Sequence, residues 1–243
     1  MALFAIADLH LSTAVEKPMD VFGSRWAGHA EKLEKNWRAA VSDRDTVVIP
    51  GDVSWAMRLD EAAPDFRFID SLPGTKIVGK GNHDLWWTTV SKMEDMLVSE
   101  GISSVKFLHN NAYFVDGKII VGTRGWFPDQ KSQNVKTAGD ADFEKISKRE
   151  AARLRQSLDA GVALRDAEGA PEAEILVFFH FPPAFADFES RELLDTMREY
   201  GVKRCFYGHV HNVYDVPRTD ERDSLRLSIV SADYLNFIPL LIG

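Results

Sequence analysis

The chain has 243 residues, of which 45% are apolar and 27% charged, and its formal net charge is −8 at pH 7. That length can bury a large single core, and the acidity counts against a non-specific polyanion binder, which carries a basic stripe. The lone cysteine, Cys205, leaves no internal disulfide to form, and no run approaches the ~18 apolar residues of a membrane helix.

The first seven residues, Met1-Ala2-Leu3-Phe4-Ala5-Ile6-Ala7, have no basic start and are too short for a secretory segment. They read as a buried strand over 2–7, and a cytoplasmic protein is expected. Helical spacing follows over 31–40, then strand 46–49, a helix over 59–70, strand 76–78 and a helix over 85–97. This β-α-β-α-β-α order predicts a parallel sheet covered by helices. Short strands are expected at 104–107, 112–115 and 118–123, the last two joined by the hairpin signal Asp116-Gly117. A charged helix over 140–158 and a polar connection over 161–172 come next. Strand 175–179, helix 190–200 and strand 203–207 restore the alternation. Residues 213–218 and 225–231 read as a closing antiparallel pair around 219–224. The apolar stretch 237–242 is expected to dock on the body, with a homo-oligomer contact as the alternative. The whole reads as one domain, 1–243, with two packed sheets and flanking helices. Cys205 sits in a predicted strand and reads as a small buried apolar residue.

Five short motifs follow apolar runs of this kind. They are Asp8-Leu9-His10, Gly51-Asp52, Gly81-Asn82-His83-Asp84, His180-Phe181-Pro182-Pro183 and Gly208-His209-Val210-His211. Side chains just past strand ends gather at one edge of an open sheet. Each motif alone has an ordinary structural reading: a turn, a helix entry or a packed histidine. Together they hold five of the seven histidines. Asp8, His10, Asp52, Asn82, His180, His209 and His211 would supply the oxygen and nitrogen donors that two neighbouring ions need, with water completing the shells. Imidazole, carboxylate and amide without thiolate favour Mn, Fe or Zn.

The ordered set resembles the calcineurin-like metallophosphoesterase superfamily over essentially the whole chain. The resemblance implies a four-layer α-β-β-α sandwich with two mixed β-sheets flanked by helices. It also implies a dinuclear metal-dependent phosphoester hydrolase. Asp8, His10 and His211 would hold one ion, and Asn82, His180 and His209 the other, with Asp52 bridging. A hydroxide bridging the ions would attack phosphorus in line. His83 would act on the leaving group as general acid or electrostatic stabiliser, near its ordinary pKa of ~6.5. Asp84 would orient it from behind. The Asp-Arg-Gly half of the protein phosphatase motif is missing after Asp52, where Val53-Ser54-Trp55-Ala56-Met57 stands instead. Segments such as Trp55-Ala56-Met57 and Gly122-Thr123-Arg124-Gly125-Trp126 resemble a bacterial branch of predicted phosphohydrolases.

Residues on the same loops complete the expectation. Arg124 is the candidate to replace the missing phosphate-gripping arginine, since its planar fork suits phosphate. Trp55 and Trp126 are expected to wall the mouth, where they could stack a base, while Trp87 is expected in the core. His29 and His109 read as structural. A small phosphodiester or nucleotide-like molecule is the expected substrate, with no nucleic acid and no membrane as partner. Alternatives are a phosphomonoesterase and a non-catalytic metal-binding scaffold of the same fold.

Overall fold

Two mixed sheets lie face to face, and their apolar side chains alternate between three cores. The computed structural model describes residues 1–127 and 140–242. The first sheet runs β13-β1-β2-β3-β4, built from β1 (Leu3–Ala5), β2 (Thr46–Ile49), β3 (Thr75–Val78), β4 (Val105–Phe107) and β13 (Leu240–Leu241). Strands β1 to β4 are parallel and β13 is antiparallel to β1. The second sheet runs β11-β12-β10-β7-β6-β5. Its strands are β5 (Tyr113–Val115), β6 (Lys118–Thr123), β7 (Glu174–Phe179), β10 (Arg204–Tyr207), β11 (Thr219–Arg222) and β12 (Leu225–Ile229). A small hairpin, β8 (Ala184–Phe185) with β9 (Phe188–Glu189), follows β7.

The period-2 alternation of a strand explains the layering. Leu3, Ala5, Val48 and Ile77 of the first sheet meet Ile120, Leu176, Phe178 and Phe206 of the second between the sheets. The alternate residues Phe4, Val47, Ile49 and Val78 pack outward against helices α1 (His29–Ala40), α2 (Leu59–Ser71) and α3 (Val90–Ser99). Ile119, Val121, Val177, Cys205 and Leu227 pack outward from the second sheet against α4 (Asp140–Ala167) and α5 (Arg191–Glu199). The result is the four-layer α-β-β-α arrangement. Cys205 is buried, and burial pushes its thiol well above the ordinary range.

Four elements differ from the sequence reading. The helix expected from residue 85 begins at Val90. Leu85 and Trp86 form a turn and residues 87–89 are irregular, because Trp86 is tied to Asp84 and the two β-branched threonines Thr88 and Thr89 disfavour helix. The helix expected to end at 158 continues to Ala167, so the polar connection over 161–172 is mostly helix. Gly161 there is a contact residue: a Cβ on it would lie 2.7 Å from Val121 Cγ1 and 2.9 Å from Ile119 Cγ2. The strand expected at 213–218 lies at 219–222, after which Asp223-Ser224 turns the chain. This edge strand is half exposed and polar, pairing through Thr219 Oγ1 and Ser228 Oγ at 2.8 Å, so hydrophobic alternation does not reveal it. The loop after Leu11 carries two short 3₁₀ turns, Met19–Phe22 and Ser24–Trp26, that no periodicity announces. The C-terminal stretch does dock: Ile242 N–H donates to Leu3 C=O at 2.8 Å.

The close approach at Gly161 gives a direct test. Gly161→Leu should lower stability by about 2 kcal/mol through overpacking, despite leucine's better helix propensity. An unchanged urea midpoint would contradict that packing role.

Candidate metal centre

The parallel strands of both sheets end at one edge, and the chain turns sharply there. After β1 the backbone passes from one sheet to the other. Ile6 N–H donates to Val48 C=O, and Ala7 N–H to Val230 C=O at 2.7 Å. Beyond it, Asp8, His10 and Leu11 pair with Gly51, Asp52 and Val53 through bonds of 2.9–3.0 Å. Asp8, His10, Asp52 and His209 all adopt positive φ, between 46° and 69°. Non-glycine residues rarely occupy that region, and such strain persists where surrounding structure enforces it. Gly81 lets the third loop approach: a Cβ there would lie 2.0 Å from Asp52 Oδ1.

One buried carboxylate sets this framework. Asp84 accepts from the backbone N–H of Asp52 (2.8 Å), Val53 (2.9 Å), Ser54 (3.3 Å) and Gly81 (2.7 Å), and from Trp86 Nε1 (3.1 Å). The His83 ring is not among its donors. The expected orientation of His83 by Asp84 is therefore corrected: both oxygens are committed to holding the Asp52 loop against the Gly81 loop.

The donors converge from five strand ends. Asp8, His10 and His211 offer atoms within 4.8 Å of one another, and so do Asp8, Asp52 and His180. His10 Nε2 faces His211 Nε2 at 3.3 Å and Asp52 Oδ2 at 3.7 Å. His180 Nε2 lies 3.5 Å from the same Asp52 oxygen and 2.6 Å from Asn82 Oδ1. His209 Nδ1 lies 3.1 Å from Asn82 Oδ1. Asp52 Oδ2, His10 Nδ1 and His180 Nδ1 are buried without a hydrogen-bond partner among the described residues. Unpaired buried polar atoms are costly in a native fold. Here they belong to metal-ligating residue types, so the set fits a cation better than it fits the protein alone.

Electrostatics point the same way. Burial raises Asp8 to about 6, against the lowering charge of His211. Burial, followed by the charges of Asp84 and Asp8, raises Asp52 well above the carboxylate range. His10 and His180 are pushed well below the ordinary imidazole value, first by burial and then by neighbouring histidines. A central cation would reverse the penalty on the carboxylates while keeping the imidazoles neutral.

A cleft of about 290 Å³ opens on this centre, lined by Asp52, His83, Phe127, Phe185, His209, Val210 and His211. Trp126, expected in its wall, is buried near Phe181 instead, with ring centroids 6.1 Å apart. Its neighbour Phe127 takes the lining position, an alternation that a loop sequence does not reveal. Trp55 stacks on His10 at 4.9 Å and lies 4.3 Å from His83, so it backs the two imidazoles. Trp86 is core, and Trp87 packs on Phe107. His29 lies near the His10 carbonyl at 3.3 Å, and His109 sits beside Trp87. Arg124 stands over the Phe181 ring at 5.7 Å, and its Nε is buried with no partner among the described residues.

Asp233 escaped the sequence reading because no motif surrounds it. Its Oδ1 lies 3.0 Å from His211 Nδ1, while Oδ2 accepts from Asn212 N–H and Tyr214 O–H. A carboxylate behind a ligating imidazole fixes its ring orientation and tautomer. Burial lowers the His211 pKa, but Asp8 and Asp233 outweigh it and hold the imidazole above its ordinary value.

The family model for calcineurin-like phosphoesterases matches residues 1–213. The chain belongs to the calcineurin-like phosphoesterase family. Membership implies metal-dependent phosphoester hydrolysis, and this family binds divalent metals. Among solved structures, the chain is similar to the phosphopantetheinyl hydrolase PptH from Mycobacterium tuberculosis, at 18% identity and a TM-score of 0.54, covering 99% of this chain and 95% of that one. The protein of unknown function AQ665 from Aquifex aeolicus aligns at 14% identity and a TM-score of 0.52, over 99% and 95% of the two chains. The protein TT1561 of Thermus thermophilus aligns at 11% identity and a TM-score of 0.52, over 96% and 89%. At these identities the likeness is one of fold. No curated protein matches the chain significantly. Among the described residues no helix is long and apolar enough to cross a membrane.

Two measurements follow from the centre. Asp233→Asn should weaken divalent-metal binding about 10–100-fold, measured by competition with a chromogenic chelator; wild-type affinity would remove Asp233 from the site. Acidification should release metal, because coordination needs neutral imidazole and the raised His211 holds its proton from a higher pH than an ordinary ring. Elemental analysis after dialysis should show full loading at about pH 8 and marked loss at about pH 5; equal loading would contradict imidazole ligation.

Proposed function

We propose that this family member is a dinuclear metal-dependent phosphoester hydrolase acting on a small phosphodiester or nucleotide-like molecule. Asp8, His10 and His211 would hold one divalent ion, Mn, Fe or Zn. Asn82, His180 and His209 would hold the second, and Asp52 lies between the two sets. The observation that carries this reading is Asp52 Oδ2, buried without a hydrogen-bond partner among the described residues and facing His10 Nε2 at 3.7 Å and His180 Nε2 at 3.5 Å. When bound, such ions lower the pKa of coordinated water and neutralise charge developing on phosphoryl oxygens.

The protein's own groups supply position and dipoles. Asp84 holds the Asp52 and Gly81 loops in register. The backbone N–H of His83 donates to Asp52 Oδ1 at 2.8 Å, which leaves Oδ2 directed at the donor set. His83 lines the cleft. Burial, then the charges of His211 and Lys17, push its imidazole down to about 4, in place of the ordinary value expected from sequence. A neutral ring donates one N–H to the leaving oxygen as a fixed dipole, an electrostatic role rather than delivery of a stored proton. Trp55 holds the His10 and His83 rings in place, while Arg124, expected to grip the phosphoryl group, lines a neighbouring cavity instead. The phenyl rings at the cleft favour a leaving group with an apolar or aromatic face.

The Mn²⁺-loaded protein should release p-nitrophenol from bis-p-nitrophenyl phosphate faster than from p-nitrophenyl phosphate. Faster turnover of the second compound would make it a phosphomonoesterase, and no release from either with metal bound would support a scaffold. His83→Ala should lower kcat about 100-fold with metal content retained; a normal kcat would dismiss the electrostatic role.

A further inference from the structure

A second cavity, of about 220 Å³, lies beside the metal centre and is lined by Lys80, Arg124, Arg149 and Arg153 together with Thr123 and His109. Four cations there meet one carboxylate. Glu150 is fully buried and accepts from Arg153 Nη1 at 3.0 Å and from Thr123 Oγ1 at 3.1 Å, with Arg149 Nε at 3.6 Å. Lys80 and Arg124 have no ion-pair partner among the described residues. Clustering partly desolvated like charges is unfavourable without a counter-charge.

The cavity is continuous with the reactive loops. Lys80 precedes Gly81-Asn82 directly. Arg124 C=O accepts from Phe181 N–H at 2.9 Å, next to His180. We infer that this cavity binds a second, non-scissile phosphate carried by the substrate. Guanidinium forks match a tetrahedral dianion through paired, charge-assisted bonds, and three net positive charges exceed what a single carboxylate ligand needs. The inference rests on the phosphoesterase reading and narrows its substrate to a doubly phosphorylated ester.

The test compares thymidine 5′-(p-nitrophenyl phosphate) with its 3′-phosphorylated counterpart on the Mn²⁺-loaded protein. The extra phosphate should lower KM about 10-fold, the scale of one charge-assisted hydrogen bond. Arg149 is more exposed than Arg153, so Arg149→Glu reverses charge there while leaving the Arg153–Glu150 bond intact. The ratio of the two KM values should collapse towards one in Arg149→Glu and persist in Lys35→Ala, a distant exposed control. Equal KM values in the wild type, or a ratio that survives Arg149→Glu, would overturn the assignment. If bis-p-nitrophenyl phosphate and both esters resist hydrolysis, the phosphoesterase reading fails on its own, and melting shifts still judge the cavity. Thymidine 3′,5′-bisphosphate should then raise Tm more than thymidine 5′-phosphate, and Arg149→Glu should abolish the difference. Equal shifts, or an equal shift with inorganic phosphate, would overturn binding of a substrate phosphate, the latter assigning the cavity to a free anion.

Discussion

A carboxylate buried among backbone N–H groups holds this site together. Asp84 gathers five donors from two loops, and those loops carry Asp52, Asn82 and His83. Burial works against its charge and raises its pKa, and the backbone hydrogen bonds offset part of that penalty. Everything nearer the chemistry depends on this clamp. It lets Gly81 touch Asp52, keeps the Asp52 backbone at positive φ, and leaves one Asp52 oxygen directed at the imidazoles.

The centre is therefore a place where the fold accepts local strain and unpaired polarity together. Four of the seven proposed ligands sit at left-handed backbone angles. Three buried nitrogen and oxygen atoms of the proposed ligands lack hydrogen-bond partners among the described residues. Strain and unsatisfied polarity of this kind concentrate at functional sites, because a ligand can offset them. The neighbouring cavity shows the opposite sign of the same principle, with cations in excess of carboxylates. Acidic donors for metal and basic donors for an anion thus stand side by side along one sheet edge.

Much of this arrangement was legible in the sequence. Alternating β and α patterns place the motif loops at one edge, and a parallel sheet leaves few other positions for them. The proposed donor set is readable because each donor follows an apolar strand, a signal carried by local pattern. The second layer is not readable in that way. Asp233 reaches His211 from a turn 22 positions away, with no flanking motif. The role of Asp84 depends on which N–H groups surround it, a tertiary fact. Phe127 lines the cleft where Trp126 was expected, because a loop has no period to fix its faces. The polar edge strand at 219–222 and the helical continuation through Gly161 fail for a shared reason. Their sequences are polar or glycine-bearing, and tertiary packing decided against local preference.

Anomalous diffraction from crystals of the Mn²⁺-reconstituted protein tests the central claim most directly. The account predicts two anomalous peaks about 3.5–4 Å apart, one beside Asp8, His10 and His211, the other beside Asn82, His180 and His209, with Asp52 reaching both. A single peak away from Asp52, or a cleft without any peak after full reconstitution, would contradict it.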